Sequence, residues 1–145
     1  MQTVNNNKKA QHDFFIEDKF EAGIVLLGWE VKSARNGSVN LADSYVYFNK
    51  GEAYLKNAHI SPYAMGDVTK QDTKRDRKLL LNANEIEKIH FAVKAKGFTC
   101  VATKIYFNKQ GRVKLEIALA RGKQKFDKKQ VLKERDIMRE AMYNQ

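Results

Sequence analysis

The sequence holds one proline, in Ser61-Pro62, one cysteine, Cys100, and one tryptophan. With a single proline there is no Pro-rich linker, so one domain is expected at 145 residues, a length that still buries a real core. A lone cysteine cannot close an intramolecular disulfide, which agrees with a reducing compartment. No segment approaches the ~18 consecutive apolar residues of a membrane span. The opening "MQTVNNNKKAQHD" lacks an apolar signal core. A soluble cytoplasmic protein without a membrane partner is therefore expected. Walker loops, dinucleotide fingerprints and nucleophile elbows are missing as well. Acid is scarce: 17 Asp and Glu face 27 Lys and Arg, a formal net charge of +10. Such a surplus favours a polyanionic partner, with nucleic acid and anionic membrane as the candidates. Hydrophobic residues at 43% nevertheless describe a folded chain and exclude a disordered one.

What is present reads mainly as strands. Residues 1–9 are polar and unpatterned and are expected to be a flexible N-terminus. From Phe14, the residues Phe14, Ile16, Phe20, Ala22, Ile24 and Leu26 share one parity, interrupted only by Asp18. That predicts one long, bent strand. "GWEVKSARNG" suits a short helix closed by Gly37. Two hairpins follow, one around Asn49-Lys50-Gly51 and one around Asn108 to Gly111. Between them runs a polar stretch over 61–78, then Leu79 to Leu81 as a short strand, then a helix. Asn82 and Glu85 stand at capping-box spacing at the start of that helix, and Gly97 stops it. The count is about five or six strands and two helices before the tail. A closed, mostly antiparallel barrel is the expected arrangement, because it removes exposed strand edges. The predicted division is residues 1–9, a barrel over 10–122 and a basic tail over 123–145. As a helix the tail would place Val131, Ile137, Met138, Ala141 and Met142 on one side, a stripe too thin to order it in water.

Few residues suggest catalysis. His12, His59 and His90 lie far apart, and no ligand spacing points to a metal or another cofactor. Cys100 reads as a small buried apolar side chain. Glu30-Val31-Lys32 offers the alternative of a magnesium-dependent nuclease, with the carboxylate on the metal, the lysine on developing negative charge, and Asp13 or Asp18 as a second carboxylate. "KGFTCVATKIYF" opens like an RNA-recognition strand, but Thr99 and Cys100 stand where that pattern wants a small residue and an aromatic. The basic clusters are the stronger signal. Lys70, Lys74, Arg75, Arg77 and Lys78 form one, Arg112, Lys114, Arg121, Lys123 and Lys125 a second, and Lys8 with Lys9 a third. Three clusters with aromatics such as Tyr63 between them favour phosphate contacts over an ordinary solvated surface.

The stretch "FEAGIVLLGWEVKSARNGSVNLADSYV" resembles small protein B, the SsrA-binding family that partners transfer-messenger RNA in bacteria. The likeness continues through "GEAYLKNAHISPY", "RKLLLNANEIEKI", "KGFTCVATKIYF" and "VKLEIALARGKQKFDKK", and covers roughly residues 8–145 in all. It implies a mainly β fold with flanking α-helices, an OB-like barrel, and a basic tail that is disordered when free and helical when bound. It also implies a monomeric, non-enzymatic factor that binds the tRNA-like domain of transfer-messenger RNA. With that RNA, and with elongation factor Tu through the RNA complex, the factor enters ribosomes stalled without a usable codon. The family's RNA determinants fall on Glu21, Leu80 and Lys114, with Asn7, Lys8 and His12 near an N-terminal contact. Glu21 and Gly23 share the non-core parity of the first strand, where a carboxylate can accept base amino protons and a glycine permits close approach. Leu80 reads equally well as plain core packing. Gly122, Asp127 and Lys128 match the ribosome-acting segment, which the family runs into the decoding centre and empty messenger channel of the small subunit. Ile137 and Met138 match its apolar pair. Two departures stand out: Lys129 replaces the usual arginine, losing the bidentate fork, and Thr73 replaces a usual proline.

Overall fold

A computed structural model describes residues 2–64 and 68–123. The chain runs β1 (Gln2–Asn6), α1 (Lys8–Asp13), β2 (Phe14–Ile24), α2 (Gly28–Arg35), β3 (Val39–Asn40), β4 (Tyr45–Asn49), β5 (Glu52–Lys56) and β6 (His59–Ile60). After a single 3-10 turn at Val68–Lys70 come β7 (Arg77–Leu80), α3 (Ala83–Lys96), β8 (Thr99–Phe107) and β9 (Val113–Gly122). Seven strands make one antiparallel sheet in the order β1-β8-β9-β2-β7-β5-β4, and β3 pairs with β6 beside it. The build is mainly β, as the alternation predicts, and OB-like, as the resemblance implies.

Local chemistry explains the turns. Lys50 and Gly51 both take positive φ, 52° and 78°, which a two-residue hairpin loop of matching twist requires. Alternation on either side sends Val46, Ala53 and Leu55 into the core. In the second hairpin the Asn108 carboxamide oxygen accepts the Gln110 and Arg112 N–H groups, each at 2.9 Å. The α3 capping box forms as its spacing predicts. Asn82 Oδ1 accepts the Glu85 N–H at 2.9 Å, Glu85 Oε1 accepts the Asn82 N–H at 3.2 Å, and Gly97 closes the helix in the left-handed region. Helix α3 then lays Ile89 and Ala92 on the main core. Replacing Asn82 by alanine is expected to cost about 1 kcal/mol. Thermal denaturation should register this as a melting temperature a few degrees lower.

Strand β2 departs from its predicted single face. Its register against β9 jumps from Ile16↔Ala120 to Lys19↔Ala118, so one extra residue forms a bulge where Asp18 interrupts the apolar parity. Before the bulge, Phe14 and Ile16 pack with Ala10, Val101 and Ala120 beneath α1. After it, Phe20, Ala22 and Ile24 face the main core on the other side of the sheet.

Two further expectations are corrected. Residues 1–9 are not loose: β1 pairs with β8 from Gln2↔Phe107 to Asn6↔Lys104, and α1 follows directly. The sheet is also not a closed barrel. It curls until β4 lies near β8, but β1 already occupies the free edge of β8 that closure would need. Both corrections have one cause. An edge strand such as "QTVNN" is held by backbone hydrogen bonds, with only Val4 reaching the main core, so it leaves no hydrophobic alternation to read.

Candidate nucleic-acid interface

On the face of the sheet turned away from the main core, four strands place their residues in one row. Leu80 of β7 stands opposite Gly23 of β2, Gly23 opposite Lys114 of β9, and Lys114 opposite Tyr106 of β8. A second row runs Glu21, Glu116, Lys104 across β2, β9 and β8. At the usual strand spacing the first row spans roughly 14 Å, wide enough to meet several nucleotides. Thus Glu21, Gly23, Leu80 and Lys114, scattered over more than half the sequence, meet on one surface.

Each member has a defined environment. Leu80 is 55% exposed while Leu79 fills the core, which removes the core-packing reading of Leu80. Gly23 earns its place through Leu80: a Cβ there would meet the Leu80 Cβ at 3.2 Å. Its close approach is to that leucine. The Tyr106 hydroxyl donates to Glu21 Oε2 and so orients the carboxylate of an exposed residue. Burial, and then that carboxylate, push the Tyr106 phenol up to about 12, so it stays a donor at neutral pH. Beside it, Thr103 Oγ1 donates to Glu116 Oε2 at 2.6 Å, and Lys19 Nζ lies 3.8 Å from the same oxygen. Sequence reasoning overlooked Tyr106. Counting back from the Asn108–Gly111 turn places it opposite Lys114, and that register was the available signal.

Other expected contacts are structural. Asn7 is buried: its Nδ2 donates to the carbonyls of Leu41 at 3.0 Å and Ala102 at 2.8 Å, and its Oδ1 accepts the Ala10 N–H. It caps α1 and has no group left for a ligand. Lys8 and His12, on the same helix, are exposed. Arg77 is fully buried, so it cannot reach a phosphate; its guanidinium donates to Glu30 Oε2 and to the Ala58 and Thr73 carbonyls. Arg75 donates to both Glu30 oxygens, at 2.9 and 2.6 Å. Lys78 is exposed and pairs with Glu52 at 3.2 Å.

The same cluster removes the nuclease alternative. Glu30 has no solvent exposure, and its carboxylate is filled by Arg75, Arg77 and the Leu27 N–H. Burial alone would raise its pKa, but Arg75, Leu27 and Arg77 together outweigh burial and lower it. A carboxylate enclosed by two guanidinium groups cannot take up magnesium. Lys32 meanwhile lies over the Tyr63 ring, 5.5 Å from its centre. Among the described residues, no cluster of three or more His, Cys, Asp or Glu could hold a metal ion. Cys100 is buried, its thiol pushed up to about 12 by desolvation. Gly122 ends β9 opposite Phe14. Asp127, Lys128, Lys129, Ile137 and Met138 lie outside the described residues, as does the tail stripe.

Fold and surface together define a class: a small, basic, OB-like antiparallel-β protein with an open, charge-bearing sheet face. The family model described as SmpB protein matches residues 4–144. An SsrA-binding protein of Pseudomonas putida (strain F1) is 52% identical over 139 residues, 95% of this chain and 86% of its own. That of Symbiobacterium thermophilum is 46% identical over 140 residues, 97% and 89% of the two chains. A chain of the solved structure described as "tmRNA-SmpB: a journey to the center of the bacterial ribosome" superposes with a TM-score of 0.72 at 44% identity, covering 86% of this chain and 87% of that one. This chain belongs to the SmpB family.

Proposed function

We propose that the protein binds the tRNA-like domain of transfer-messenger RNA and brings it to stalled ribosomes for trans-translation. The observation that carries the reading is membership of the SmpB family, with relatives described as SsrA-binding proteins and a structural neighbour described with tmRNA and the bacterial ribosome. The contact surface proposed for the RNA is the row of Leu80, Gly23 and Lys114 with Glu21 beside it, and Lys8 and His12 are a second contact at α1. The protein acts as a monomeric binding factor in the cytoplasm, not as a catalyst, and meets elongation factor Tu only through the RNA. Gly122 and the tail over 123–145, with Asp127, Lys128 and Lys129, act on the ribosome in this reading. Ile137 and Met138 supply its apolar side.

The net charge of +10 supports the phosphate part of the reading, and binding should weaken steeply as salt rises. Glu21 tests the rest. If phosphate attraction were everything, Glu21→Arg would tighten binding; a carboxylate held toward base edges makes the change harmful. Gel shifts with the tRNA-like domain should show Glu21→Arg binding lost while the protein stays folded, its melting temperature lowered only slightly by the lost Tyr106 hydrogen bond. Unchanged or tighter binding would mark Glu21 as a solvated strand residue only.

A further inference from the structure

We propose that Tyr47 and Tyr54 form a platform on which an unpaired base of the bound RNA stacks, with Lys56 and Lys78 contacting its phosphates. The proposal rests on the RNA-binding reading above and extends it onto β4 and β5. Tyr47 stands opposite Tyr54, and Tyr54 opposite Lys78, so the three lie side by side across β4, β5 and β7. Lys78 and Leu80 share a face of β7, which makes this row continuous with the one through Gly23 and Lys114.

The two rings are stacked, with centroids 5.4 Å apart and planes 24° from parallel. Both are partly exposed, and neither packs into the main core. Their hydroxyls are tethered: Tyr47 donates to Asp76 Oδ2 at 2.6 Å and Tyr54 to Glu52 Oε1 at 2.9 Å. Tethering fixes the rings before any ligand arrives, which lowers the ordering cost of binding. It also occupies the two nearby carboxylates, and Lys78 neutralises Glu52 further at 3.2 Å. Lys56 Nζ lies 5.6 Å from the Tyr47 ring centre. Pre-set aromatic rings flanked by ammonium groups on an OB-like sheet suit stacking of single-stranded bases, with the cations following the backbone.

The test measures affinity for the tRNA-like domain at several salt concentrations. Tyr54→Leu, which keeps the bulk and loses the π-face, should bind roughly tenfold or more weakly, with the salt slope of wild type. Tyr54→Phe, which keeps the ring and loses only its tether to Glu52, should weaken binding clearly less than Tyr54→Leu, by roughly two- to threefold. Lys78→Ala should lower the slope by about one. Tyr54→Leu at wild-type affinity, or an equal loss in Tyr54→Phe, would overturn the platform. Wild-type protein that does not bind this RNA would instead overturn the family-based reading, and the platform with it.

Discussion

Glu30→Ala is expected to destabilise the protein by about 3–5 kcal/mol, a large part of the ~5–15 kcal/mol typical of a domain. The carboxylate is fully buried and receives Arg75, Arg77 and the Leu27 N–H, so its removal strands a fully buried guanidinium. The damage should spread. Arg77 ties β7 to the Ala58 and Thr73 carbonyls, and Arg75 reaches the Val25 carbonyl at 3.3 Å, so α2, β7, the turn after β2 and the 68–76 segment are all joined at this carboxylate. Urea denaturation should give a midpoint far below wild type, and Glu30→Gln should fall nearly as far because two positive charges remain without their counter-charge. The pH dependence follows from the lowered carboxyl pKa in the fold. A group depressed on folding stabilises above its unfolded value and loses that contribution as pH falls through the folded one. Wild-type stability should therefore drop as the solution is acidified below the ordinary carboxylate range, and the Glu30 variants should lose less over the same interval. A wild-type midpoint in Glu30→Ala would show that the arginines find water or other partners.

Truncation after Gly122 is expected to leave the fold and RNA binding largely intact while abolishing rescue of stalled ribosomes. The described sheet is complete at Gly122, where β9 ends against β2. From Arg121 onward the sequence carries eight Lys and Arg against four acidic residues, a surplus suited to ribosomal RNA. The relevant assay is peptidyl transfer to alanyl-charged transfer-messenger RNA on ribosomes stalled on a truncated message. Asp127→Ala with Lys128→Ala should reduce transfer more mildly. Full transfer by the truncated protein would make the tail a solubilising appendage.

The elements legible in the sequence were those with strong local chemistry. The Asn82–Glu85 capping box, Gly97 and both hairpin turns declare themselves, because each demands particular residues at fixed positions. The β2 bulge was half legible: Asp18 broke the apolar parity, yet parity alone cannot say that the strand changes faces there. Strand β1 is not legible, since its stability comes from backbone pairing with β8, and without β1 the edge of β8 reads as free to close the barrel. At the candidate interface, alternation put Glu21 and Gly23 on the outward face, but the pairing of β2 with β7 that sets Leu80 beside Gly23 is non-local. The basic cluster misled at Arg75 and Arg77. Composition counts charge, and only the fold reveals that both guanidinium groups are consumed by Glu30.

The central claim is that this protein selects transfer-messenger RNA from among all the RNAs of a cell. Tagged protein should be incubated with a bacterial lysate at moderate salt, recovered, and its bound RNA sequenced, with the Glu21→Arg variant run in parallel. Transfer-messenger RNA should be enriched far above its share of the lysate by wild type and not by the variant. Recovery of transfer, ribosomal and messenger RNA in proportion to their abundance would show a basic protein that binds RNA without selection, and would contradict the account.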